Sequence, residues 1–211
     1  MTPDIQQKQN WIDRLPDNQR RALHAVMVPR HFRKGALIFS RNEAPEGLYV
    51  VREGSALFCL DSECGRRLIL KIIQPNELFG ESFAQDNRPA AVSVEARTDM
   101  FVSLVPAHSL DLLERTNPEI RQALGDVSAN YVRSLLELIE ELVLLPLPER
   151  VLSYLQRLSL EQTGDSNAGI DVSQSELAAM LGASRQAVNI VLGQMQKCGL
   201  IQRKFRRIVL K

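Results

Sequence analysis

The pattern of apolar and polar positions divides this chain into stretches of different character. Between residues 33 and 105 the apolar positions form short runs, rich in β-branched and aromatic residues and separated by Gly and Pro. Many closely spaced short strands are typical of an all-β sandwich or barrel. Six runs predict strands, at residues 36–39, 47–51, 55–60, 68–73, 91–96 and 100–105, and residues 61–66 predict a hairpin turn between two of them.

Helical spacing of apolar residues precedes and follows this β region. A helix of about ten residues is predicted to begin near Pro16 and Asp17, with an inner face formed by Leu23, Val26 and Met27. A second, short helix is predicted from Ala107 to Thr116.

A much longer helix is predicted from Asn117, as its cap, to about Leu145. Pro118 supports this start because proline is favoured at the first helical position. Apolar residues recur along it at spacings of 4, 3, 4, 4, 3 and 4: Ile120, Leu124, Val127, Tyr131, Leu135, Leu138 and Leu142. This eleven-residue repeat is close to the natural period of an α-helix, so two copies of the chain could pair nearly straight as a homodimer. The alternative is that the helix lies on its own β-domain, and both can hold on opposite faces. Residues 146–148, Pro-Leu-Pro, then break the helix.

Residues 173–192 predict a helix-turn-helix. Ser173 and Glu176 form a capping box that opens a short helix. Gly182 permits a tight turn, and Ser184 caps a second helix that stops near Gly199. The buried face of that second helix is predicted to consist of Ala187, Val188, Val191, Leu192 and Met195.

The outward face at the start of the second helix predicts contacts with DNA. It carries Ser184, Arg185, Gln186 and Asn189, whose side chains pair with base edges and phosphates. Gln174, which opens the first helix, joins this set as a further candidate contact. A recognition helix needs this combination because its first turns enter the major groove while the other face packs on the protein. The alternative is an ordinary helical hairpin with a polar surface.

Two short β-prone runs follow Gly199 and flank a basic tip, the pattern of a winged helix-turn-helix. We expect the tip to contact the phosphate backbone and to set affinity, through Arg203, Lys204, Arg206 and Arg207. Sequence preference should come instead from Arg185, Gln186 and Asn189.

Charge is nearly balanced over the chain, with 26 Lys and Arg against 25 Asp and Glu, but it is unevenly distributed. Residues 149–211 hold 9 basic and 5 acidic residues, a net charge of +4, and the remainder holds 17 and 20, a net charge of −3. The positive end carries the predicted DNA reader, which fits attraction to phosphate. A chance surface imbalance is the alternative.

Length and cysteine usage narrow the class of protein further. A chain of 211 residues suits one or two domains with cores of their own. Cys59, Cys64 and Cys198 are odd in number and have no metal-ligand spacing, which favours a reduced compartment. No apolar run approaches a membrane span and no signal peptide is apparent, so a cytoplasmic protein is expected.

The order of these elements resembles the CRP/FNR family of bacterial transcription regulators. Residues 34–38 (Lys-Gly-Ala-Leu-Ile) open the β region as in the family. Residues 47–54 (Gly-Leu-Tyr-Val-Val-Arg-Glu-Gly) are similar to its Leu-Tyr-x-x-x-x-Gly signature, and residues 79–82 (Phe-Gly-Glu-Ser) resemble its Phe-Gly-Glu segment. Asn42 stands where many relatives have Gly, a change that a left-handed turn tolerates.

The resemblance implies an α+β fold with an N-terminal jelly-roll-like β-barrel, a long dimerisation helix and a C-terminal winged helix-turn-helix. The corresponding domains are residues 1–116, 117–145 and 146–211. It also implies a dimeric regulator that is not an enzyme, with double-stranded DNA and RNA polymerase as partners. No cofactor and no membrane association are expected, and the small-molecule effector is unknown or absent.

In family members that bind cyclic AMP, a Gly-Glu pair reaches the ribose, and an Arg followed by Ser or Thr holds the cyclic phosphate. Gly80 and Glu81 match that pair, but Ala90 and Ala91 occupy the phosphate-binding position. Arg88 is displaced by two residues and is followed by the stiff Pro89. The Thr-Ser pair that meets the adenine aligns with Leu135 and Leu136.

We therefore expect a pocket that is not built for cyclic AMP, in which Glu81 is kept to satisfy backbone donors of its loop. The alternative is a cyclic-nucleotide-responsive regulator that uses Gly80, Glu81 and Arg88. Tyr131 of the long helix completes this candidate effector pocket.

Other sensing chemistries find less support. An iron-sulfur cluster of the FNR type needs cysteines near the N-terminus, and none precedes Cys59. His24, His31 and His108 show no pairing, so each is expected to be a surface or loop residue and not a haem ligand, and the chain lacks the His-x-His of a cupin enzyme. Cys64, beside two arginines on a hairpin tip, could be a redox sensor or an exposed thiol without a role. A cyclic-nucleotide sensor with another output leaves residues 173–210 unexplained.

Overall fold

The computed structural model describes residues 11–81, 88–162, 169–204 and 207–211, with side chains at all of these positions but 160–162. Six α-helices lie in these segments: α1 (Asp17–Ala25), α2 (Ala107–Thr116), α3 (Pro118–Leu144), α4 (Leu147–Gln162), α5 (Gln174–Met180) and α6 (Arg185–Lys197). The strands in the same segments are β1 (Val28–Phe32), β2 (Leu37–Phe39), β3 (Gly47–Glu53), β4 (Ala56–Asp61), β5 (Arg67–Ile73), β6 (Leu78–Phe79), β7 (Ser93–Ala96), β8 (Met100–Pro106), β9 (Ile170–Asp171), β10 (Ile201–Lys204) and β11 (Arg207–Leu210).

The chain forms two compact units. One contains residues up to Leu60 together with Lys71–Ser134, and the other contains Asp61–Leu70 together with Leu135–Lys211. Among the described residues, no helix combines the length and the apolar composition that a membrane span requires.

The first unit is built on two four-stranded antiparallel sheets, as the spacing of short apolar runs predicts. Their strand orders are β1-β8-β3-β6 and β2-β7-β4-β5. The core between them contains Phe39, Tyr49, Phe79 and Met100, and the rings of Tyr49 and Phe79 stack with centroids 4.8 Å apart. All six predicted strands are present, with bounds that differ by up to two residues.

Two strands of this domain, β1 and β6, were not predicted, and each has a physical reason. β1 carries the exposed residues Pro29, Arg30 and His31, so it lacks the apolar alternation of a half-buried strand. β6 is only two residues long.

Both predicted turn features are confirmed. Asn42 adopts a φ of 69°, and the amide of Ser62 donates to the Arg66 carbonyl at 2.8 Å across the hairpin tip.

Helices α1, α2 and the first half of α3 pack on one face of the β-domain. Strand β3 is buried on both faces, because Tyr49 and Val51 enter the core between the sheets while Leu48 and Val50 meet the helices. The helices contribute fully buried leucines and isoleucines to that second layer: Leu23, Leu110, Ile120 and Leu124. The predicted α1 is confirmed, although Val26 and Met27 follow its last residue and are half-buried.

The long helix ends where the Pro-Leu-Pro sequence predicts, but its cap differs from the expectation. The side-chain amide of Asn117 donates to the Leu113 carbonyl at 3.0 Å, so this side chain satisfies the last turn of α2 and not the first turn of α3. The backbone carbonyl of Asn117 accepts from the amide of Ile120. Because α2 and α3 meet at this residue, the free carbonyls of α2 lie within its reach.

The predicted dimer stripe of α3 requires a correction. Ile120 and Leu124 are fully buried in the chain's own core, and Val127 packs against the same core. The alternative that the helix lies on its own β-domain therefore holds for this half of the stripe. In the other half of the predicted stripe, Leu135 is exposed and Leu138 and Leu142 are half-buried. A second apolar stripe, one residue further along, is more exposed: Val132, Leu136, Ile139 and Val143.

The second unit has a core formed by α4, α5, α6 and a small sheet of order β10-β11-β9. Neither α4 nor β9 is among the elements that the sequence pattern predicts. Pro146 and Pro148 suggested only a break, yet proline is tolerated in the first turn of a helix, and Pro148 is the second residue of α4. Val151, Leu155 and Leu158 of α4 are buried in this core.

Candidate nucleic-acid interface and effector pocket

The predicted helix-turn-helix is confirmed by its caps. The Ser173 hydroxyl accepts from the Glu176 amide at 3.1 Å and opens α5, and the Ser184 hydroxyl accepts from the Ala187 amide at 3.1 Å and opens α6. Gly182 supplies the turn with a φ of 59°. Gly199, with a φ of 75°, ends the motif after α6, as predicted. Each signal acts within one turn of chain, which explains why the sequence alone located it.

Helix α6 separates a buried face from an exposed one. Val188, Val191, Leu192 and Met195 are buried in the core of the second unit, as predicted. The predicted contact residues Ser184, Arg185, Gln186 and Asn189 are all exposed.

Ile190 was not predicted to belong to this exposed face. It is 56% exposed and follows Gln186 by four residues, so the two side chains lie on the same side of α6. An apolar residue outside the apolar period of an amphipathic helix is the signal that could have identified it. We call the set Arg185, Gln186, Asn189 and Ile190 the reader face.

The wing is an antiparallel pair of strands in which Lys204 lies opposite Arg207, and both side chains are exposed. Arg203 is half-buried and donates to the side-chain oxygen of Asn189 at 3.0 Å. The strands are held on α6 by Ile201 and Ile208, which are buried in the same core. Arg206 lies outside the described residues.

A groove between the start of α5, the start of α6 and the wing collects several predicted residues. Its polar lining consists of Ser173, Gln174, Ser175, Arg185, Arg203, Lys204 and Arg207. Four cations along one groove create a positive potential that attracts polyanions. The structure therefore brings Gln174, Arg185 and the described wing cations together, as the resemblance to a winged helix-turn-helix implies.

The candidate effector pocket lies in the β-domain at the end of β6. Gly80 has a φ of 89°, and a side chain there would place its Cβ 2.5 Å from the Gly47 carbonyl oxygen, so only glycine fits. Glu81 is 5% exposed, and its Oε2 has no hydrogen-bond partner among the described residues. Burial raises the pKa of Glu81, while its own backbone amide and Lys71 act in the opposite direction.

Tyr131 of α3 lies beside Glu81. Its hydroxyl donates to the Leu78 carbonyl, its ring stacks on Phe58 with centroids 6.3 Å apart, and the Lys71 ammonium lies 4.7 Å from the ring centre. Burial raises the pKa of Tyr131, and the nearby carboxylates of Glu81 and Glu77 raise it further. The hydroxyl therefore stays protonated as a donor. We call Phe58, Lys71, Glu77, Glu81 and Tyr131 the Glu81 cluster.

The predicted pocket residues are only partly assembled. Gly80, Glu81 and Tyr131 lie together, whereas Arg88 is exposed. Ala90, at the phosphate-binding position of the resemblance, is buried, and its amide and carbonyl are hydrogen bonded to the loop of Asn42 and Glu43 at 2.8 Å each. The donors that Glu81 was expected to satisfy belong to a loop whose residues 82–87 lie outside the described structure.

The other candidate sensing residues lie apart from this cluster. His24, His31 and His108 are exposed on three different elements, and the His31 ring lies 4.6 Å from that of Phe101. Cys64 is exposed on the hairpin tip, where hydrogen bonds, first from Ser62 and then from Arg66, lower the pKa of its thiol to about 7. Its proton is thus easily lost near neutral pH.

Two family profiles match the chain. The cyclic nucleotide-binding domain covers residues 29–117, and the Crp-like helix-turn-helix domain covers residues 149–211. Among curated proteins, the chain is 26% identical over 193 residues to the CRP-like cAMP-activated global transcriptional regulator of Mycobacterium tuberculosis, covering 90% of this chain and 86% of that protein. It is 28% identical over 181 residues to the HTH-type transcriptional regulator Cmr of the same species, covering 85% and 71%.

Solved structures share the fold. The c-di-GMP responsive global regulator CLP of Xanthomonas campestris superposes with a TM-score of 0.83 at 22% identity, over 92% of this chain and 99% of that one. FixK2 of Bradyrhizobium japonicum gives a TM-score of 0.77 at 24% identity, over 88% and 93%. The predicted α+β fold with a cyclic-nucleotide-binding-type β-domain and a C-terminal helix-turn-helix is confirmed.

Proposed function

Because the chain belongs to the CRP/FNR family of transcription regulators, we propose that it is a dimeric, sequence-specific DNA-binding regulator that binds DNA without cAMP. Double-stranded DNA and, through the family resemblance, RNA polymerase are its partners, and it has no enzymatic role. The observation that carries the proposal is α6. One side of this helix is buried in the core, and the opposite side presents the polar residues Arg185, Gln186 and Asn189.

The reader face supplies the chemistry for direct readout of bases. Gln186 and Asn189 carry amides suited to adenine, and Arg185 carries a guanidinium suited to guanine or a phosphate. Ile190 adds an exposed aliphatic group of the kind that contacts the methyl group of thymine. Together these residues favour a site that contains A·T pairs next to the Arg185 contact.

The wing supplies sequence-independent affinity. Lys204 and Arg207 are exposed on paired strands that have no helix to enter a groove, so their charges meet phosphates. Arg206, between them in sequence, is proposed to act in the same way. Each phosphate neutralised contributes to the salt dependence of binding.

Dimerisation is proposed to use the exposed stripe of α3. Val132, Leu136, Ile139 and Val143 are each more than half exposed and recur at spacings of 4, 3 and 4. Exposed leucines, isoleucines and valines in a continuous stripe on one helix favour pairing with a second apolar helix. The second copy of α3 offers the same stripe, so a two-fold symmetric pair would bury both.

Independence from cAMP is supported by the residues at the phosphate-binding and adenine-binding positions. Ala90 is buried and cannot bind an anion through its side chain, and Arg88 is exposed. Leu135 and Leu136 replace hydroxyl-bearing residues on α3. Tyr131, held by its hydrogen bond to Leu78, lies near enough to Glu81 for the two groups to interact electrostatically.

The experiment that tests this proposal selects duplexes from a random pool with the full-length protein, with and without cAMP. We expect the same near-palindromic site under both conditions, with half-sites about one helical turn, ~34 Å, apart. Light scattering should show two chains per site. A monomer that binds one half-site with full affinity, or selection that fails without cAMP, would contradict the proposal.

A cyclic-nucleotide-responsive regulator is the second candidate, favoured by one observation. The buried Oε2 of Glu81 lacks a partner among the described residues, and a ribose hydroxyl could donate to it. The curated relative named above as cAMP-activated points in the same direction. Calorimetry decides between the two, since micromolar cAMP binding that is lost in Arg88→Ala and Glu81→Ala would establish the second candidate.

A further inference from the structure

The contact between the wing and the reader face distinguishes Arg203 from the other wing cations. We infer that Arg203 is a positioning residue for base recognition, because its guanidinium holds the oxygen end of the Asn189 amide and so turns the amide nitrogen toward the base edges. This inference rests on the proposed function, in which Asn189 reads a base. In this inference, the oxygen of the Asn189 amide contacts Arg203 and the nitrogen contacts the base.

Side chains alternate between more buried and exposed positions along β10. Ile201 is buried and Arg203 is half-buried, whereas Gln202 and Lys204 are exposed. Because successive side chains of a strand point to opposite faces, Arg203 shares the face of Ile201 and lies toward α6. Lys204 lies on the other face. The two neighbouring cations therefore lie on opposite faces of the strand, although both border the groove described above and the sequence presents them as one basic tip.

Packing of the wing on α6 sets the distance between Arg203 and that helix. Ile201 and Ile208 of the wing share a core with Val188 and Leu192 of α6. The amide of Leu200 donates to the Met195 carbonyl at 3.0 Å, which ties the first residue before the wing to the end of the helix. Arg203 thus approaches Asn189 from a strand anchored on the same helix.

The polarity of the hydrogen bond from Arg203 determines how the Asn189 amide is oriented. An asparagine amide has a donor end and an acceptor end of nearly equal shape, and either end can face a base. A guanidinium only donates, so the atom of Asn189 that it meets at 3.0 Å is the oxygen. The amide nitrogen is then directed away from Arg203 as a donor. A charge-assisted bond holds this orientation more firmly than a neutral one would.

The consequence is a defined preference at one base pair. A donor facing the major groove is matched by the acceptors of adenine, guanine or thymine and is mismatched by the amino group of cytosine. Without Arg203 the amide can rotate, accept from the cytosine amino group and lose that discrimination. Arg203 therefore contributes to sequence preference, and Lys204 contributes to affinity alone.

The test uses the full-length protein and the duplex selected by the wild type, with all four bases placed in turn at the position to which Asn189→Ala is sensitive. Anisotropy titrations compare wild type, Arg203→Met, Asn189→Ala and the double variant, with Lys204→Met as the matched control. We expect Arg203→Met to reduce the discrimination against cytosine by at least about fivefold at that position. The double variant should show no further loss there, and Lys204→Met should weaken binding to all four duplexes equally.

Asn189→Asp tests the same inference without altering Arg203. The aspartate keeps an acceptor for the guanidinium but has no donor to present, so preference at that position should move to cytosine, whose amino group donates to carboxylates. This variant also keeps the inference falsifiable if Arg203→Met fails to fold, because an unchanged preferred base would overturn it.

The outcomes separate the inference from the function on which it rests. If the wild type binds all duplexes equally, the proposed function is wrong. If the wild type discriminates but Arg203→Met weakens all duplexes alike, as Lys204→Met does, Arg203 is a phosphate contact and the inference is overturned. The inference is also overturned if Asn189→Ala leaves every ratio unchanged, or if Asn189→Asp leaves the preferred base unchanged.

Discussion

The Glu81 cluster and the helix-turn-helix place their polar side chains in opposite environments. Glu81 is buried, and one of its carboxylate oxygens has no partner among the described residues. Ser173 and Ser184 are exposed, and each accepts a backbone hydrogen bond that opens a helix. A buried polar group without a partner destabilises the fold, whereas an exposed or capping one does not. The β-domain therefore retains a buried carboxyl whose Oε2 has no partner among the described residues, while the helix-turn-helix is built from polar groups that cap helices or face solvent.

The largest expected effect concerns exposed apolar side chains. Leu136→Glu combined with Ile139→Glu places charges in the proposed dimer stripe, so the dimer should dissociate. Because two linked readers bind far more tightly than one, affinity for the palindromic duplex should fall by about 100-fold or more. Sedimentation and anisotropy measure the two effects. Leu112→Glu is the matched control, since Leu112 is 63% exposed on α2 and lies outside the stripe. A double variant that remains dimeric would rule out the stripe as the interface.

The second prediction concerns the steric fit of Gly80 in the β-domain. Gly80→Ala forces a Cβ to within 2.5 Å of the Gly47 carbonyl at a φ of 89°. It should lower the free energy of unfolding by about 2 to 4 kcal/mol. Gly35→Ala is the control, because Gly35 has a similar φ of 80° but no atom within 4 Å of the added Cβ, and it should cost about 1 kcal/mol. Urea unfolding of both variants checks the difference, and equal losses would show that φ alone explains Gly80.

The third prediction separates the two kinds of exposed polar residue in the DNA-binding unit. Gln186→Ala should weaken the preferred duplex by about 1 to 3 kcal/mol and flatten discrimination at one position. Lys204→Ala should weaken all duplexes alike and reduce the slope of log affinity against log salt by about 0.9. Titrations on matched and mutated duplexes across a salt series measure both. A changed base preference in Lys204→Ala with none in Gln186→Ala would reverse the assignment.

The fourth prediction tests the cost of the buried carboxyl. Burial raises the pKa of Glu81 in the folded state, so the folded protein binds the proton more tightly than the unfolded chain. The stability that this group contributes is therefore present below the unfolded pKa and is lost as pH rises through the folded pKa. Glu81→Gln removes the ionisation, so its stability relative to wild type should increase with pH. Thermal unfolding across a pH series that starts below the ordinary pKa of a glutamate, about 4.3, and rises from there measures this.

Glu119 provides a control of opposite sign. A hydrogen bond from Gln19 lowers the pKa of Glu119, so its contribution is present above the unfolded pKa and is lost as pH falls through the folded pKa. Glu119→Gln should therefore lose stability relative to wild type as pH rises through the acid range, up to the ordinary pKa of a glutamate at about 4.3, and should show no further change above it. If the two variants follow the same pH dependence, burial of Glu81 is not the cause of its behaviour.

The smallest expected effect concerns an exposed group that has partners. Hydrogen bonds from Ser62 and Arg66 lower the pKa of the Cys64 thiol to about 7, so its alkylation by iodoacetamide should rise with a midpoint near that pH. Ser62→Ala removes the largest cause and should move the midpoint upward, without a change in folding. Mass spectrometry of the modified Cys64 peptide follows the rate. A midpoint that is the same in both proteins would show that Ser62 does not act on the thiol.

Elements with local signals are predictable from the order of residues along the chain. Caps at Ser173 and Ser184 and the turn at Gly182 each act within a few residues, so the order of residues along the chain was enough to place the helix-turn-helix. The same holds for the short apolar runs that became β3 and β8. Short-range geometry and hydrophobic period suffice for these features because they depend on neighbours along the chain.

Tertiary packing determines which of two similar apolar surfaces of a helix is buried and which is exposed. Two apolar stripes run along α3, one residue apart, and only packing shows that Ile120 and Leu124 are buried while Leu136 and Ile139 are exposed. Packing also placed Arg203 against Asn189 and left Lys204 exposed, and it buried Glu81 near Tyr131. The hydrophobic period of a helix or strand indicates which residues prefer burial. The side chains that bury them come from distant segments of the chain, and a local pattern carries no information on where those segments lie.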